Sequence, residues 1–330
     1  MKIVFFEIKD WEKEHITKKF KDCRLIFTNQ PLTPDNVSDF SDCDAVSVFI
    51  YSVLNQEVLK KFSRLKYIAS RSTGFDHIDV AFCKKKNILV SNVPVYGANT
   101  VAEHTFALIL SLSRKIPQSV AETKREDFSR EDLTGFDLKG KTLGVVGTGN
   151  IGLHTIRIAR GFQMNVLAFD LFHNKQAAAE LGFHYVDFDV LLKESDIISL
   201  HAPLNNHTFH MVNSSSIKKM KKGVFLINTA RGGLVDNEAL VKGLKEGYIG
   251  GAGLDVLEEE NFTDEEINLL FDASSERQKK ILANHILLTM PNVLITPHNA
   301  FNSQEALERI LDTTIENLNF FKMNKPVNLI

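Results

Sequence analysis

The apolar residues of this chain fall into short runs, which alternate with longer segments whose apolar positions recur every three or four residues. Short apolar runs are typical of buried strands, and the longer spacing is typical of helices. Their alternation favours a parallel sheet. In residues 1–98 the predicted strands are Lys2–Phe6, Arg24–Phe27, Ala45–Phe49, Tyr67–Ser70 and Ile88–Val90, and the predicted helices are Trp11–Phe20, Gln56–Phe62 and Val80–Lys86.

The same alternation resumes at Lys141 and continues to the last helix. The predicted strands are Leu143–Val146, Asn165–Asp170, Asp196–Leu200, Val224–Asn228, Gly250–Leu254 and Val293–Ile295, and the predicted helices are Leu153–Gly161, Ala177–Leu181, Val190–Lys193, Ser214–Met220, Asn237–Lys245 and Ser303–Phe321. The chain is therefore predicted to be of the α/β class throughout.

Three segments depart from this alternation. Thr100–Glu103 matches a capping box and predicts a helix over Val101–Ser113, which is apolar on most sides. Such a helix is buried within a fold or against a partner chain. Pro117–Gly140 is polar with no strand pattern, and Asn261–Asn284 is interpreted as a polar insertion.

Composition narrows the class of protein. A chain of 330 residues suggests two domains, and a hydrophobic share of 44% with 24% charged residues is close to the soluble average. The net charge of −2 gives no sign of a nucleic-acid partner. Three scattered cysteines show no metal-ligand spacing, and no apolar run is long enough to span a membrane or serve as a signal peptide. We therefore expect a cytoplasmic protein with no membrane partner and no metal.

The most informative motif is the G-x-G-x-x-G of Gly147, Gly149 and Gly152, which stands between a predicted strand and a predicted helix. In that setting the glycines permit a tight turn, a close approach to a pyrophosphate and close helix packing. Asp170 ends the next strand, near the distance of about 20 residues at which an acid accepts hydrogen bonds from the adenosine ribose of NAD. No Arg follows it to hold a 2′-phosphate, so NAD is predicted in preference to NADP.

Residues that could carry chemistry follow several strands. Because the carboxyl ends of parallel strands share one edge, we expect Arg231, His298 and one of the acids from Asp255 to Glu260 to lie near the dinucleotide. Arg matches a carboxylate, and His exchanges protons near neutral pH. Together they indicate reduction of a 2-oxo acid with a hydride from NAD. The alternatives are a surface charge for Arg231, a satisfied loop histidine for His298, and acids that solvate the start of the insertion.

With these motifs the chain resembles the NAD-dependent D-2-hydroxyacid dehydrogenases over its whole length, and most closely their D-lactate branch. The segments that carry the resemblance are Ser72–Asp79, Asn92–Tyr96, Thr100–His104, Gly147–Gly152, Ile227–Gly232, Gly253–Val256 and Ile295–His298.

The resemblance implies a role for individual residues. Arg231 matches the substrate-binding catalytic arginine, His298 the acid/base, and Glu260 the acid paired with it. Ser70–His77 alone is interpreted as a plain turn, but the resemblance assigns Thr73 and Gly74 to the substrate carboxylate and Tyr96 to the substrate side. It places at the cofactor, besides the three glycines, Asn150, Ile151, Asp170, Ala202, Pro203, Thr229, Ala230 and Asp255.

The resemblance also implies an architecture that periodicity does not reveal. It predicts a Rossmann NAD domain over 99–300 and a smaller, discontinuous flavodoxin-like substrate domain formed by 1–98 and 301–330. Hinged closure would exclude water from the hydride path. A homodimer is expected, with the helix after Thr100 in its interface.

The resemblance leaves the substrate open. Pyruvate, giving D-lactate, is favoured, and the 261–284 insertion supports that branch. The alternatives are a sister enzyme acting on hydroxypyruvate, glyoxylate or a branched 2-oxo acid, and an NAD-sensing corepressor on the same fold.

Overall fold

The computed structural model describes residues 1–258 and 275–330, except for the side chains of residues 275 and 276. The described chain divides into two compact units. The first comprises Met1–Tyr96 and Ser303–Ile330, and the second comprises Gly97–Asn302. Each unit is built on one parallel sheet, so the predicted α/β class with two parallel sheets is confirmed.

The first unit contains a five-stranded sheet of order β2-β1-β3-β4-β5, the flavodoxin-like order. Its strands are β1 (Lys2–Phe5), β2 (Arg24–Phe27), β3 (Ala45–Val48), β4 (Tyr67–Ser70) and β5 (Leu89–Ser91). Its helices are α1 (Asp10–Lys19), α2 (Gln56–Lys60), α3 (Val80–Lys85) and α12 (Gln304–Lys322), with a 3-10 turn at Val37–Phe40.

Alternation along the strands gives this sheet two apolar faces. Ile3 and Phe5 of β1 belong to a core that includes residues of α1 and α12, whereas Val4 belongs to a core with residues of α2 and α3. A parallel sheet buried on both faces requires such apolar strands. The C-terminal helix α12 thus completes a unit that begins at the N-terminus, and Tyr67 stacks on Phe321 with ring centroids 4.2 Å apart.

The second unit contains a seven-stranded parallel sheet of order β12-β11-β10-β9-β6-β7-β8, the Rossmann order extended by one strand. Its strands are β6 (Thr142–Val146), β7 (Asn165–Phe169), β8 (His184–Tyr185), β9 (Ile197–Leu200), β10 (Val224–Asn228), β11 (Ile249–Leu254) and β12 (Val293–Ile295). Its helices are α4 (Ala98–Ser113), α5 (Ile116–Thr123), α6 (Asn150–Gly161), α7 (Lys175–Leu181), α8 (Phe188–Glu194), α9 (Ser214–Lys219), α10 (Asn237–Lys245) and α11 (Ser275–Thr289), with a 3-10 turn at Gly232–Leu234.

Helices cover both faces of this sheet as well. Apolar residues of α4 and α6 form one core with the strands, and those of α8 to α11 form the other. Packing of α4 on α6 and β11 accounts for much of its apolar surface within its own unit. In the described residues, no helix is both long enough and apolar enough to cross a membrane.

Pro117–Gly140, for which the sequence predicts no strand, contains none, and helix α5 includes Pro117 in its first turn. Two local predictions are wrong. Helix α4 begins at Ala98 after Gly97, so Thr100 lies inside it and does not cap it. The segment predicted as a polar insertion up to Asn284 is helical from Ser275 onward, because Ala283, Leu287 and other apolar residues of α11 pack into the core.

Candidate active site at the carboxyl edge of the larger sheet

Strand order locates the crevice of the second unit. Strands β6 and β9 are neighbours, but the chain proceeds from them in opposite directions along the sheet. In open α/β sheets, ligands bind outside the carboxyl ends of two such strands. The two ends meet here, since a Cβ atom on Gly147 would lie 2.7 Å from the His201 carbonyl carbon and 2.8 Å from the Ala202 nitrogen.

The glycine loop has the shape that a dinucleotide requires. Gly147 has φ +95°, which disfavours any side chain, and a Cβ on Gly152 would lie only 2.0 Å from the Gly147 oxygen. A Cβ on Gly149, by contrast, would meet no atom within 4 Å. Gly149 precedes α6, whose first residues are Asn150 and Ile151, and no side chain caps this helix. The open space beside an uncapped helix N-terminus therefore fits a pyrophosphate.

Asp170 lies beside this loop, as the sequence predicts for strand ends. Its Oδ2 accepts hydrogen bonds from the Thr148 amide at 2.6 Å and from the Thr148 hydroxyl at 3.0 Å, and its Oδ1 accepts one from the Phe172 amide at 3.0 Å. Partial burial acts to raise the pKa of Asp170, but these hydrogen bonds outweigh it and hold the pKa below its ordinary value. The carboxylate is therefore ionised at neutral pH, as an acceptor for ribose hydroxyls must be.

The loop after β10 carries Arg231. The buried Asn228 shapes this loop, because its amide nitrogen donates to the Arg231 carbonyl at 2.9 Å and its oxygen accepts from the Ala230 amide at 3.1 Å. Thr229 is anchored from α4, where the Thr105 hydroxyl lies 2.9 Å from its own. Ala202 and Pro203 follow the neighbouring strand β9 at the same edge.

His298 follows β12 and is held by its backbone. It has a left-handed φ of +49°, and its amide donates to the carbonyl of Asp255 at 2.9 Å. The Asp255 carboxylate is 1% exposed and accepts from the Thr296 hydroxyl at 2.5 Å and from the Ala300 amide at 2.9 Å. Burial acts to raise the pKa of Asp255, yet hydrogen bonds from His104, Thr296 and the loop amides lower it. Asp255 thus fixes the loop that presents the imidazole.

The substrate-side residues of the resemblance lie in the first unit. The Thr73 hydroxyl donates to the Val93 carbonyl at 2.7 Å, and the Thr73 carbonyl accepts from the Asn92 amide at 2.8 Å. Ser72 donates to the Gly74 carbonyl at 2.6 Å, so this loop is fixed by its own side chains. The carbonyl of Tyr96 accepts a hydrogen bond from Arg309.

Among the acids 258–260, only Glu258 lies within the described residues. It is buried, and its Oε1 lies 2.8 Å from His210 Nε2 and 3.1 Å from Lys280 Nζ. Glu258 therefore does not simply solvate the start of an insertion. Glu260, the predicted partner of His298, lies outside the described residues.

Three polar residues near this edge have no assignment from the sequence. Thr148 links the glycine loop to Asp170, and His104 Nε2 lies 3.1 Å from the Thr296 hydroxyl. Burial lowers the pKa of His201 to about 4, so this imidazole is neutral beside the loop. Thr148 occupies a variable position of the glycine motif, and the partners of His104 are far away in sequence. In the part of the chain that the structure describes, no group of three His, Cys, Asp or Glu could hold a metal ion.

Comparison with known proteins identifies the family of this chain. Residues 106–300 match the family model described as the D-isomer specific 2-hydroxyacid dehydrogenase NAD-binding domain. The chain belongs to the D-isomer specific 2-hydroxyacid dehydrogenases, and the second unit contains its NAD-binding domain. The predicted oxidoreductase class and the cofactor NAD are thereby confirmed.

Individual relatives span nearly the whole chain. A D-lactate dehydrogenase of Escherichia coli is 37% identical over 325 residues, 96% of each chain. An aromatic 2-oxoacid reductase of Clostridium sporogenes is 41% identical over 286 residues, which cover 85% of this chain and 83% of the relative. The crystal structure of a D-lactate dehydrogenase from Aquifex aeolicus, complexed with NAD and lactic acid, has a TM-score of 0.85 and 37% identity, covering 98% of this chain and 96% of that one.

Proposed function

We propose that this protein reduces a 2-oxo acid to the D-2-hydroxy acid with NADH, pyruvate being the favoured substrate and D-lactate the product. The observation that carries the proposal is the placement of Arg231 and His298 after β10 and β12. These strands flank β11, and Asp255, the residue that follows β11, fixes the His298 loop. A cation for a carboxylate and a proton donor thus stand at the edge that also carries the glycine loop.

The cofactor roles follow from the same edge. We assign Gly147, Gly149, Gly152 and the first turn of α6 to the pyrophosphate, and Asp170 to the adenosine ribose. Bound NADH supplies the hydride that the carbonyl carbon accepts. The remaining cofactor contacts proposed from the family are Asn150, Ile151, Ala202, Pro203, Thr229, Ala230 and Asp255.

The substrate roles complete the reaction. The planar guanidinium of Arg231 binds the carboxylate of the 2-oxo acid and polarises its carbonyl. His298 gives a proton to the carbonyl oxygen as the carbon receives the hydride, and it takes that proton back in the reverse direction. Glu260 is the proposed partner that orients the imidazole. Thr73, Gly74 and Tyr96 are the proposed substrate contacts of the first unit, which is thereby assigned to substrate binding.

A substrate panel tests the proposal. Purified protein is given NADH with pyruvate, hydroxypyruvate, glyoxylate, a branched 2-oxo acid and phenylpyruvate, and the loss of NADH absorbance is followed. We expect pyruvate to have the highest kcat/KM and the product to be oxidised by a D-specific lactate dehydrogenase. Absence of turnover on every acid contradicts the proposed activity, and an L-product contradicts its stereochemistry.

Reduction of an aromatic 2-oxo acid is the second candidate. The Clostridium sporogenes relative, named for that activity, is slightly more identical to this chain than the Escherichia coli enzyme, though over a shorter stretch. A higher kcat/KM for phenylpyruvate than for pyruvate would select this candidate. Both candidates use the same Arg231 and His298.

A homodimer and a cytoplasmic location complete the proposal. The family resemblance supports the dimer. Light scattering on the purified protein should give twice the mass of one chain, and a single-chain mass at micromolar concentration contradicts it. Fractionation of the source cells should recover the protein with the cytoplasm.

A further inference from the structure

A second group of ionisable side chains lies near the Arg231 loop. It comprises Glu258, His210 and Lys280, which meet at Glu258 Oε1. The backbone carbonyl of Glu258 also accepts a hydrogen bond from the Asn284 side chain at 2.8 Å. Asn284 is oriented in turn by the buried Asn237, whose amide nitrogen donates to it at 2.7 Å. None of these five residues belongs to the proposed catalytic or cofactor-binding set.

This group is joined to the Arg231 loop through the backbone. The His210 amide donates to the Gly233 carbonyl at 2.8 Å. A Cβ on Gly232 would lie 2.1 Å from the carbonyl carbon and oxygen of Leu257, so the two segments touch with no room for a side chain. His210 therefore binds the Arg231 loop by its main chain and Glu258 by its side chain.

The contacts around Glu258 are costly to break. Its side chain is 6% exposed, and a buried carboxylate left without a partner loses hydration that nothing replaces. His210 has a left-handed φ of +50°, a strained conformation for a residue with a side chain. Such a conformation persists where its surroundings determine it, and here hydrogen bonds at both ends of the residue do so. The cluster consequently resists displacement of the Arg231 loop.

We propose that Glu258, together with His210 and Lys280, is a positioning residue that holds Arg231 in the place where it binds the substrate carboxylate. The inference depends on the proposed function, because it uses the role given to Arg231. Helix α11 takes part in this positioning, since Lys280 and Asn284 both belong to it and contact Glu258. None of its residues is among the proposed substrate or cofactor contacts, so we expect the effect of the cluster to reach the reaction through the loop.

The variant Glu258→Gln tests the proposal. Glutamine keeps the size of the side chain and an acceptor for His210, but it removes the charge that faces Lys280. We expect the KM for the preferred 2-oxo acid to rise about tenfold, because small displacements of a binding group are costly. The Kd for NADH, measured by fluorescence, should change less than twofold. Glu246→Gln, at the exposed end of α10, is the matched control and should leave both constants unchanged.

A second variant separates positioning from stability. Lys280→Met leaves the His210–Glu258 contact in place, and we expect it to raise KM by about threefold. The double variant Glu258→Gln/Lys280→Met removes both charges together. The increase of its KM over the wild-type value should therefore be smaller than the product of the increases in the two single variants. A cluster with a purely structural role would lower Tm without changing KM.

The results of these measurements distinguish failure of the proposed function from failure of the positioning role. If the wild-type protein reduces no 2-oxo acid, the proposed function fails and the inference is overturned with it. If the wild-type protein is active and the KM of each variant that folds equals the wild-type value, only the inference is overturned. A KM that rises in both single variants and rises in the double variant by less than the product of the two single effects supports it.

Discussion

At the scale of single residues, His298 shows how the backbone can orient a proposed catalytic group. Its amide donates both to the Asp255 carbonyl and to the Thr296 carbonyl, each at 2.9 Å, and these bonds fix a left-handed backbone. Asn adopts that conformation more readily than most residues with a side chain, whereas Ala pays a strain cost. An Asn substitution therefore removes the imidazole while sparing the loop.

For His298→Asn we expect kcat for the 2-oxo acid to fall by about two to four decades, the usual worth of a positioned proton donor. The Kd for NADH and the Tm should stay near the wild-type values, because the backbone is preserved. Steady-state kinetics, NADH fluorescence and thermal unfolding measure the three quantities. His298→Ala should show the same loss of kcat with a lower Tm. Full turnover in the Asn variant contradicts the acid/base role.

We expect Asp170 to determine the preference of the enzyme for NADH over NADPH. For Asp170→Ala we expect the ratio of kcat/KM for NADH to that for NADPH to fall about tenfold or more, since a hydrogen bond to a charged group is worth about 1.5–3 kcal/mol. Removing the negative charge also relieves repulsion of the 2′-phosphate. Kinetics with each cofactor give the ratio. Asp189→Asn, an exposed acid on α8, is the control. An unchanged ratio places the ribose contact elsewhere.

The sequence predicts these residues because each follows a recognisable strand, and strand ends share an edge. The contacts of Thr148, His104 and Glu258 do not follow from the sequence, because their partners are distant along the chain. The contact between His104 and Thr296 joins residues 192 positions apart. Packing of α4 against the sheet creates that contact, and no local pattern records it.

At the scale of elements, the glycines before and within the first turn of α6 have separate roles. Gly152 permits α6 to approach the Gly147 carbonyl, whereas the space beside Gly149 is open. Gly149 has an ordinary φ of −68°, so alanine can take its place without backbone strain. The two positions should therefore respond differently to the same substitution.

Gly152→Ala should lower the free energy of unfolding by about 1–3 kcal/mol, because the added methyl group overpacks the loop. Gly149→Ala should leave stability unchanged and raise the Kd for NADH by at least about tenfold, since its methyl group occupies the space assigned to the pyrophosphate. Denaturant unfolding and NADH titration measure the two effects. Equal NADH affinity in wild type and Gly149→Ala contradicts that assignment.

Most strands and the helices between them could be predicted, because short apolar runs and turn residues identify them directly. The start of α4 could not, because Gly97 precedes the helix without a side-chain cap, whereas Thr100 and Glu103 match the pattern of a capping box inside it. Helix α11 was obscured by the charged stretch Arg277–Lys280, which lies ahead of its buried Ile281. Charge on the exposed side of a helix conceals its apolar side in a single sequence.

At the scale of the whole molecule, hydrophobic periodicity does not predict that the last helix, α12, packs on the sheet of the first unit. Helix α12 has the same amphipathic pattern as any covering helix, and only its buried partners on β1 and β4 show to which sheet it belongs. The family resemblance predicts such a return of the chain. The parallel class follows from alternation alone, but the assignment of each helix to a sheet depends on contacts between distant residues.

Buried and half-buried carboxylates make the stability of the second unit depend on pH. The pKa of Asp255 lies below its ordinary value in the folded protein, because hydrogen bonds from His104, Thr296 and the loop amides outweigh its burial. The pKa of Asp196 is also lowered, by hydrogen bonds from Lys221 and the Thr142 amide that likewise outweigh burial. A lowered folded-state pKa means that the unfolded chain takes up protons first as the pH falls.

The stabilisation is therefore complete above the unfolded-state pKa of about 3.9 and is lost as the pH falls through the lower folded-state value. These carboxylates therefore leave the Tm unchanged from neutral pH down to about pH 5 and lower it steeply below about pH 4. His201 adds a gradual decline that begins near about pH 6.5, because burial lowers its pKa to about 4 and the unfolded chain takes up that proton first. Asp255→Asn should have a lower Tm at neutral pH and a shallower fall in acid, because the group that titrates is gone. Circular dichroism melts across this range test both statements. An equally steep fall in Asp255→Asn means that other carboxylates dominate the acid unfolding.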